Sequence, residues 1–407
     1  MSLEDWEILT HDKIRALIEA NKETDPIRFA LTHSNNEFPL ALVSTQLKSL
    51  QKARLKLPSW YNVSAILPPL ALEQCSSEAT AKLKSVHGKI ALDLSGGLGV
   101  DSHFLSQGFE HLISLEPQKA LSEIQRYNLQ LLKNPKVEVI NQKAKSFLQA
   151  YDGPKFDLIY VDPSRRDNQN RRINALTEGA PNITQLMPLI RQHAHQLLIK
   201  ASPLLDLAEA HRLFPTLKEL IVVSKDNECK EVLIWLDKLS PARPKEASEA
   251  SLRLKMLRQG QLFEYQFAYP LVEDDGFAER SSPPNFLAEP DVAFYKSRST
   301  RQLLPDLALS SSSLPNKDGY IHCEEPLSSD FPGRQFKVLE IMPFKPKVIK
   351  KWLKARKIKR LNISKRNFPE TVAQVRKQLQ LSEGGDQFLL LSLWQGNRYA
   401  FYAERIQ

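Results

Sequence analysis

Glycines, acids and lysines gather in a few short stretches of this 407-residue chain. In "ALDLSGGLGVDS" (Ala91–Ser102), Gly96, Gly97 and Gly99 join an apolar run to a helix-like one. Glycines let backbone approach a ligand closely, and amides at a helix start favour electron-rich groups. "SLEP" follows about 20 residues on and ends in Glu116-Pro117, and an acid at such a strand end can accept both hydroxyls of a ribose. "FDLIYVDPSRRDNQNRR" (Phe156–Arg172) runs from apolar residues through Asp162-Pro163 into an arginine-rich stretch. "LLIKASP" places Lys200 at the end of another apolar run, and "EVLIWL" opens on Glu231.

The first two stretches fit a dinucleotide or S-adenosylmethionine. The dinucleotide fingerprint G-x-G-x-x-G is absent, because the order here is G-G-x-G. Asp93, just ahead of the glycines, suits the amino-acid end of S-adenosylmethionine. Asp162, Lys200 and Glu231, with Lys82 or Lys84, compose a Lys-Asp-Lys-Glu set. Such a set can deprotonate a ribose 2′-hydroxyl, with a lysine of lowered pKa as base and acids to position it. In another reading, Lys200 only binds an RNA phosphate.

These residues need strands that end together. From about Gly88, apolar runs alternate with amphipathic helical stretches: "KIALDLSGG", "HLISLEP", "VEVIN", "FDLIYVDP", "HQLLIKASP", "LKELIVVS" and "EVLIWL". That alternation predicts a parallel sheet covered on both faces. The short link "KDNECK" cannot hold a crossover helix, so the last two runs predict an antiparallel hairpin. Around this α/β core the sequence predicts a helical domain over 1–82, the sheet domain over 83–240, a Pro/Ser-rich linker with a small loop-rich unit over 241–330, and a compact α+β domain over 331–407. The last reads β-α-β-α-β-β. No internal repeat is present.

Charge points the same way. The net charge is +9, yet Arg334–Lys377 alone holds 15 Lys/Arg against Glu340 and Glu370. A field this localised usually meets nucleic acid, although a solvated helix face also carries such charge. Lys351, Lys354, Arg356 and Lys359 are the residues expected to touch RNA phosphates. The acidic N-terminus "MSLEDWEILT", the lack of a membrane-length apolar run, and three scattered cysteines (Cys75, Cys229, Cys323) lead us to expect a cytoplasmic protein with reduced thiols. His193 and His195 bring no further ligand set, so no metal is expected.

Taken together, "DLSGGLGVDS", "SLEP", "YVDPSRRD", "LLIKASPLLD" and "VVSKDNECKEVLIWL" resemble class I S-adenosylmethionine-dependent methyltransferases. More closely they resemble a bacterial family with a C-terminal THUMP-like domain, which "EQCSSEATAKLK" (Glu73–Lys84), "FLAEPDVAFYKS" and "FPGRQFKV" also fit. The resemblance covers most of the chain. It implies a Rossmann-like sheet of seven strands, one antiparallel, with a small ferredoxin-like unit before the THUMP-like end. It also implies S-adenosyl-L-methionine as cofactor and RNA, ribosomal or transfer, as substrate.

On that resemblance Asp93, Ser95, Gly96, Gly97, Gly99 and Asp101 cradle the methionine end. Glu116 holds the ribose, Pro117 borders the adenine, and Lys143 with Ala144 forms the adenine loop. Glu73–Lys84 lies as a flap over the cofactor, although "SSEATAKL" also reads as a plain capped helix start. Two departures from the wider superfamily stand out: Ser95 replaces a common glycine, and Lys143 an acid.

Methylases of exocyclic amines end the fourth strand in an acid or Asn, two prolines and an aromatic that stacks on the flipped base. Asp162-Pro163 fits that pattern, while Ser164 replaces the second proline and Arg165 the aromatic. Arg165 and Arg166 can stack on a base or bind phosphate, or pair locally with Asp167. The altered motif also leaves open a non-catalytic RNA-binding protein on a methyltransferase scaffold. A methyltransferase of a protein or small molecule is a third reading.

Overall fold

The computed structural model describes every residue except 34–37, 165–175, 238, 240–249, 272–281, 304–313, 316–318 and 407. Two units make up the chain: residues 1–221 with 230–250, and residues 222–229 with 251–407.

The apolar runs form β1 (Ile90–Asp93), β2 (His111–Leu115), β3 (Val137–Ile140), β4 (Phe156–Val161), β5 (Ala194–Ala201), β6 (Leu217–Lys225) and β7 (Glu228–Leu236). Their order is β3-β2-β1-β4-β5-β7-β6, the seven strands that the resemblance implies, within a sheet that continues to nine. β1 to β5 are parallel, and β7 runs antiparallel to β5. Leu92, Leu158, Ile159, Leu197 and Ile199 are completely buried, as the continuous apolar runs predict for strands covered on both faces. The β6–β7 hairpin turns at Asp226 and Asn227, both at positive φ (51° and 64°), the geometry a two-residue turn needs to match strand twist.

Seven helices precede the sheet: α1 (Leu3–Thr10), α2 (Asp12–Asn21), α3 (Pro26–Thr32), α4 (Leu40–Lys56), α5 (Pro58–Asn62), α6 (Pro69–Gln74) and α7 (Glu78–Ala81). Five more lie among its strands: α8 (Val100–Leu105), α9 (Lys119–Leu131), α10 (Ala144–Ala150), α11 (Ile183–His193) and α12 (Leu207–Leu213). The leading helices share a single core with α8 and α9. Leu9, Ile18, Phe29, Leu47 and Trp60 pack in one cluster with Leu98, Val100, Phe104 and Ile124.

The second unit departs from the sequence expectation at its start. Where a linker is predicted, residues 250–269 form two long strands, β8 (Ala250–Arg258) and β9 (Gln261–Tyr269). Leu252, Leu254 and Met256 are completely buried and alternate with partly exposed polar residues, so β8 obeys ordinary strand periodicity. Next come β10 (Phe286–Pro290), α13 (Val292–Ser297), β11 (Leu314–Pro315) and β12 (Ile321–Cys323). The predicted C-terminal order then appears: β13 (Gly333–Pro343), α14 (Pro346–Ala355), β14 (Asn362–Lys365), α15 (Val372–Leu379), β15 (Gln387–Trp394) and β16 (Asn397–Arg405). One sheet, β11-β12-β10-β13-β16-β15-β14, runs through this region. β10 pairs with β13, so strands on either side of position 330 belong to one sheet. Among the described residues no helix is long and apolar enough to cross a membrane.

Candidate active site

Strand direction brings the reactive residues to one edge. β1, β4 and β5 end in Asp93, just before Asp162, and just past Lys200. β7 runs the opposite way, with Ala201 opposite Val232, so Glu231 near its start reaches the same edge. Open α/β sheets place ligands at this carboxyl edge.

The glycine loop is built around Asp93, which is buried. Its Oδ1 accepts from the amide and hydroxyl of Ser95 (2.8 and 3.0 Å), and its Oδ2 from the Ser102 hydroxyl (2.6 Å). Burial pushes this carboxyl up to about 7, against those donors. Asp93 therefore shapes the loop from beneath rather than facing a ligand, a correction to the expected contact.

Gly96 lies against the next layer: a Cβ there would come within 2.5 Å of Ser114 Oγ and 2.9 Å of Gln125 Oε1. Gly97 and Gly99 hold positive φ (54° and 81°). The Gly97 amide donates to Glu116 Oε2 (3.0 Å) and the Gln118 amide to Oε1 (2.8 Å). Burial raises the Glu116 carboxyl, although both amides oppose it. Each oxygen retains a lone pair for a further donor, which suits two neighbouring ribose hydroxyls. Pro117 and Lys143 are exposed nearby in sequence, while Ala144 is buried at the start of α10. Close-approach glycines beside the Glu116 carboxylate fit the chemistry of S-adenosylmethionine's ribose and amino-acid end.

At the far side of the loop five charges converge. Lys84 Nζ lies 3.0 Å from Asp101 Oδ1 and 2.6 Å from Glu231 Oε1, its side chain 0% exposed. Lys200 Nζ lies 2.5 Å from Asp162 Oδ2 and 3.7 Å from Asp101 Oδ2, its side chain 4% exposed. Asp101 thus joins the two lysines, and its Oδ2 also accepts from Ser76 Oγ and the Tyr160 hydroxyl (both 2.8 Å). Burial pushes Asp101 up, but Lys84 and Lys200 outweigh it and hold the carboxyl well below its usual range. Burial raises Glu231, opposed by the same lysines. Burial would lower Lys200, but Asp162, Asp101 and Glu231 outweigh it and hold the ammonium above the ordinary lysine range. The expected lysine of lowered pKa is therefore not Lys200, because acids surround it.

Of the two candidates for the fourth member, Lys84 joins the cluster. Lys82 bonds Glu78 instead (2.9 Å) and lies over the Phe104 ring. In Glu73–Lys84, Ser77 caps α7 through the Thr80 amide (3.2 Å), as the helix-start reading expects, and Ser76 reaches the cluster. Ser95 Oγ also accepts from the Asp162 amide (2.7 Å), which ties the glycine loop to the end of β4. Pro163 is buried, and Ser164 is tied back to Ala180 by its amide (2.9 Å) and hydroxyl (3.1 Å). Arg165 and Arg166 lie outside the described residues.

Sequence reasoning passed over Ser76, Ser102 and Tyr160. The signal for Tyr160 was a hydroxyl in an otherwise apolar strand, which needs a buried partner.

In the second unit Lys351, Lys354 and Lys359 are exposed on and after α14, whose Ile349 and Leu353 face inward. Arg356 is more engaged: it bonds Glu340 (2.8 Å) and lies 4.4 Å over the Trp352 ring.

Residues 77–200 match the family described as conserved hypothetical protein 95, and residues 333–405 match the THUMP domain-like family. Along nearly its whole length the chain is similar to a solved structure, a provisionally assigned methyltransferase from Porphyromonas gingivalis W83. Identity is 25%, the TM-score is 0.80, and 99% of this chain and 98% of that one are covered. An rRNA methylase from Streptococcus thermophilus matches at 13% identity and TM-score 0.30, over 40% of this chain and 94% of that one. A provisionally assigned methyltransferase from Streptococcus mutans, solved with SAH, matches at 14% and 0.30, over 42% and 99%. Scores that low add nothing to the argument. No curated protein matches the sequence. The chain combines a class I methyltransferase sheet with a THUMP-like C-terminal domain.

Proposed function

We propose that this protein is an S-adenosylmethionine-dependent methyltransferase acting on RNA, ribosomal or transfer. The observation that carries the reading is the Ser95 bridge. One hydroxyl links the loop suited to the cofactor with the amide of Asp162 at 2.7 Å, so donor and acceptor sites share a single rigid corner. Such positioning is the main thing an enzyme contributes to an in-line transfer.

When bound, the cofactor supplies a methyl group on a positively charged sulfur. Glu116 would hold its ribose, and Gly96, Gly97 and Gly99 would admit its amino-acid end. Pro117, Lys143 and Ala144 would flank the adenine, with Ala144 contributing backbone. Asp162 would receive the acceptor group. Exposed Lys351, Lys354 and Lys359 would bind RNA phosphates, and Arg165 and Arg166 would meet the nucleotide itself.

The reading is tested with RNA from cells lacking the gene, complemented by the native protein or by Asp162→Ala. Mass spectrometry of total RNA nucleosides should show one methylated nucleoside restored only by the native chain. An unchanged nucleoside profile across all strains would remove RNA as the substrate. If S-adenosylmethionine also fails to bind in calorimetry at millimolar concentration, the non-catalytic RNA-binding reading replaces this one.

A further inference from the structure

We propose that the acceptor atom is a hydroxyl oxygen, the ribose 2′-hydroxyl of an RNA nucleotide. Asp162 takes its proton, and the Lys200 ammonium faces the oxygen as negative charge develops. This rests on the RNA methyltransferase reading above.

The argument is the sign of the charge that each nucleophile develops. An amine gains positive charge on methylation, whereas a hydroxyl sheds a proton and passes through partial negative charge. A fixed cation at the acceptor opposes the first and favours the second. Lys200 Nζ is that cation, 2.5 Å from Asp162 Oδ2. The second lysine does not compete for the role, because Lys84 is fully buried between Asp101 and Glu231. Those three residues position Lys200 rather than touch substrate.

The cluster also reverses the roles expected of it. With Asp101, Asp162 and Glu231 around it, Lys200 stays protonated and cannot serve as the base. Asp162 is the member open to solvent, its side chain 26% exposed. The amine-site motif is altered as well: Ser164 stands in place of the second proline and is tied back to Ala180. Along an RNA backbone the hydroxyl on offer at every nucleotide is the 2′-OH. In the transfer the hydroxyl oxygen bonds to the methyl carbon as the carbon–sulfur bond breaks. The bonding pair stays on sulfur, leaving a neutral thioether, and the hydroxyl proton passes to Asp162 and on to water.

The test uses the full chain, methyl-labelled S-adenosylmethionine and RNA from cells lacking the gene. Label should appear in alkali-resistant dinucleotides and in 2′-O-methylnucleosides. Label on a base overturns this proposal and leaves the methyltransferase reading standing; absence of label overturns both. A second arm compares Lys200→Arg with Lys200→Met, with cofactor affinity read by calorimetry. Both should keep that affinity within about threefold, with transfer falling about 100-fold in Met and about tenfold or less in Arg. Equal loss of transfer in both variants would make Lys200 the base, and loss of cofactor binding would make it scaffold. Either result overturns the assignment.

Discussion

Asp93 and Asp101 sit in one loop and are pushed in opposite directions. Asp93 has serine partners only and rises to about 7 through burial, whereas Asp101 has two lysines and is held low. An acid raised in the folded state contributes stability below its unfolded value of about 3.9 and loses it as pH climbs toward 7. Asn can take the place of protonated Asp93, since the Ser102 hydroxyl can accept from it and donate to Ser114, 2.9 Å away. We therefore expect Asp93→Asn to gain on the native chain between pH 4 and 7, by up to about 4 kcal/mol, in urea melts across that range. Parallel curves would contradict the assignment. Gly96→Ala should abolish S-adenosylmethionine binding in calorimetry, because its Cβ would press on Ser114 and Gln125. Much of this site was legible: Glu116, Asp162, Lys200 and Glu231 each close or open an apolar run. Periodicity could not choose between Lys82 and Lys84, because only the fold shows which one turns inward. Nor could it tell that Asp93 faces its own loop, a matter of a few ångströms of side-chain direction.

At the scale of elements, the sheet was readable because fully buried strands are short apolar runs with polar punctuation. The β6–β7 hairpin was readable because its link is too short for anything else. β8 and β9 were not, because the Pro- and Ser-rich segments around them dominate the composition and β9 buries little. Their turn, Gln259-Gly260, nonetheless carries the two positive φ values (49° and 83°) of a tight hairpin. Nothing lies within 4 Å of a Cβ added at Gly260, so Gly260→Ala isolates backbone strain. A loss of about 1 kcal/mol is expected, read as a lowered melting temperature. No loss would mean that the turn is not held in this geometry.

For the molecule as a whole, charge divides the labour. The five charges of the candidate site are buried or half-buried in contact with one another, while Lys351, Lys354 and Lys359 of the C-terminal segment are exposed, in a stretch whose sequence carries +13 over Arg334–Lys377. If that segment holds RNA, affinity should fall steeply with salt. Reversing Lys351, Lys354 and Lys359 to Glu together should flatten the log–log slope by about 2 to 3, with cofactor affinity unchanged. An unaltered slope would move the RNA contact elsewhere. The central claim is methyl transfer at the Asp162–Lys200 corner. It is tested most directly by following labelled methyl from S-adenosylmethionine into RNA with the native chain and Asp162→Ala, alongside calorimetry of cofactor binding. We expect label with the native chain and none with Asp162→Ala, at equal cofactor affinity. Equal labelling by both proteins would contradict the account.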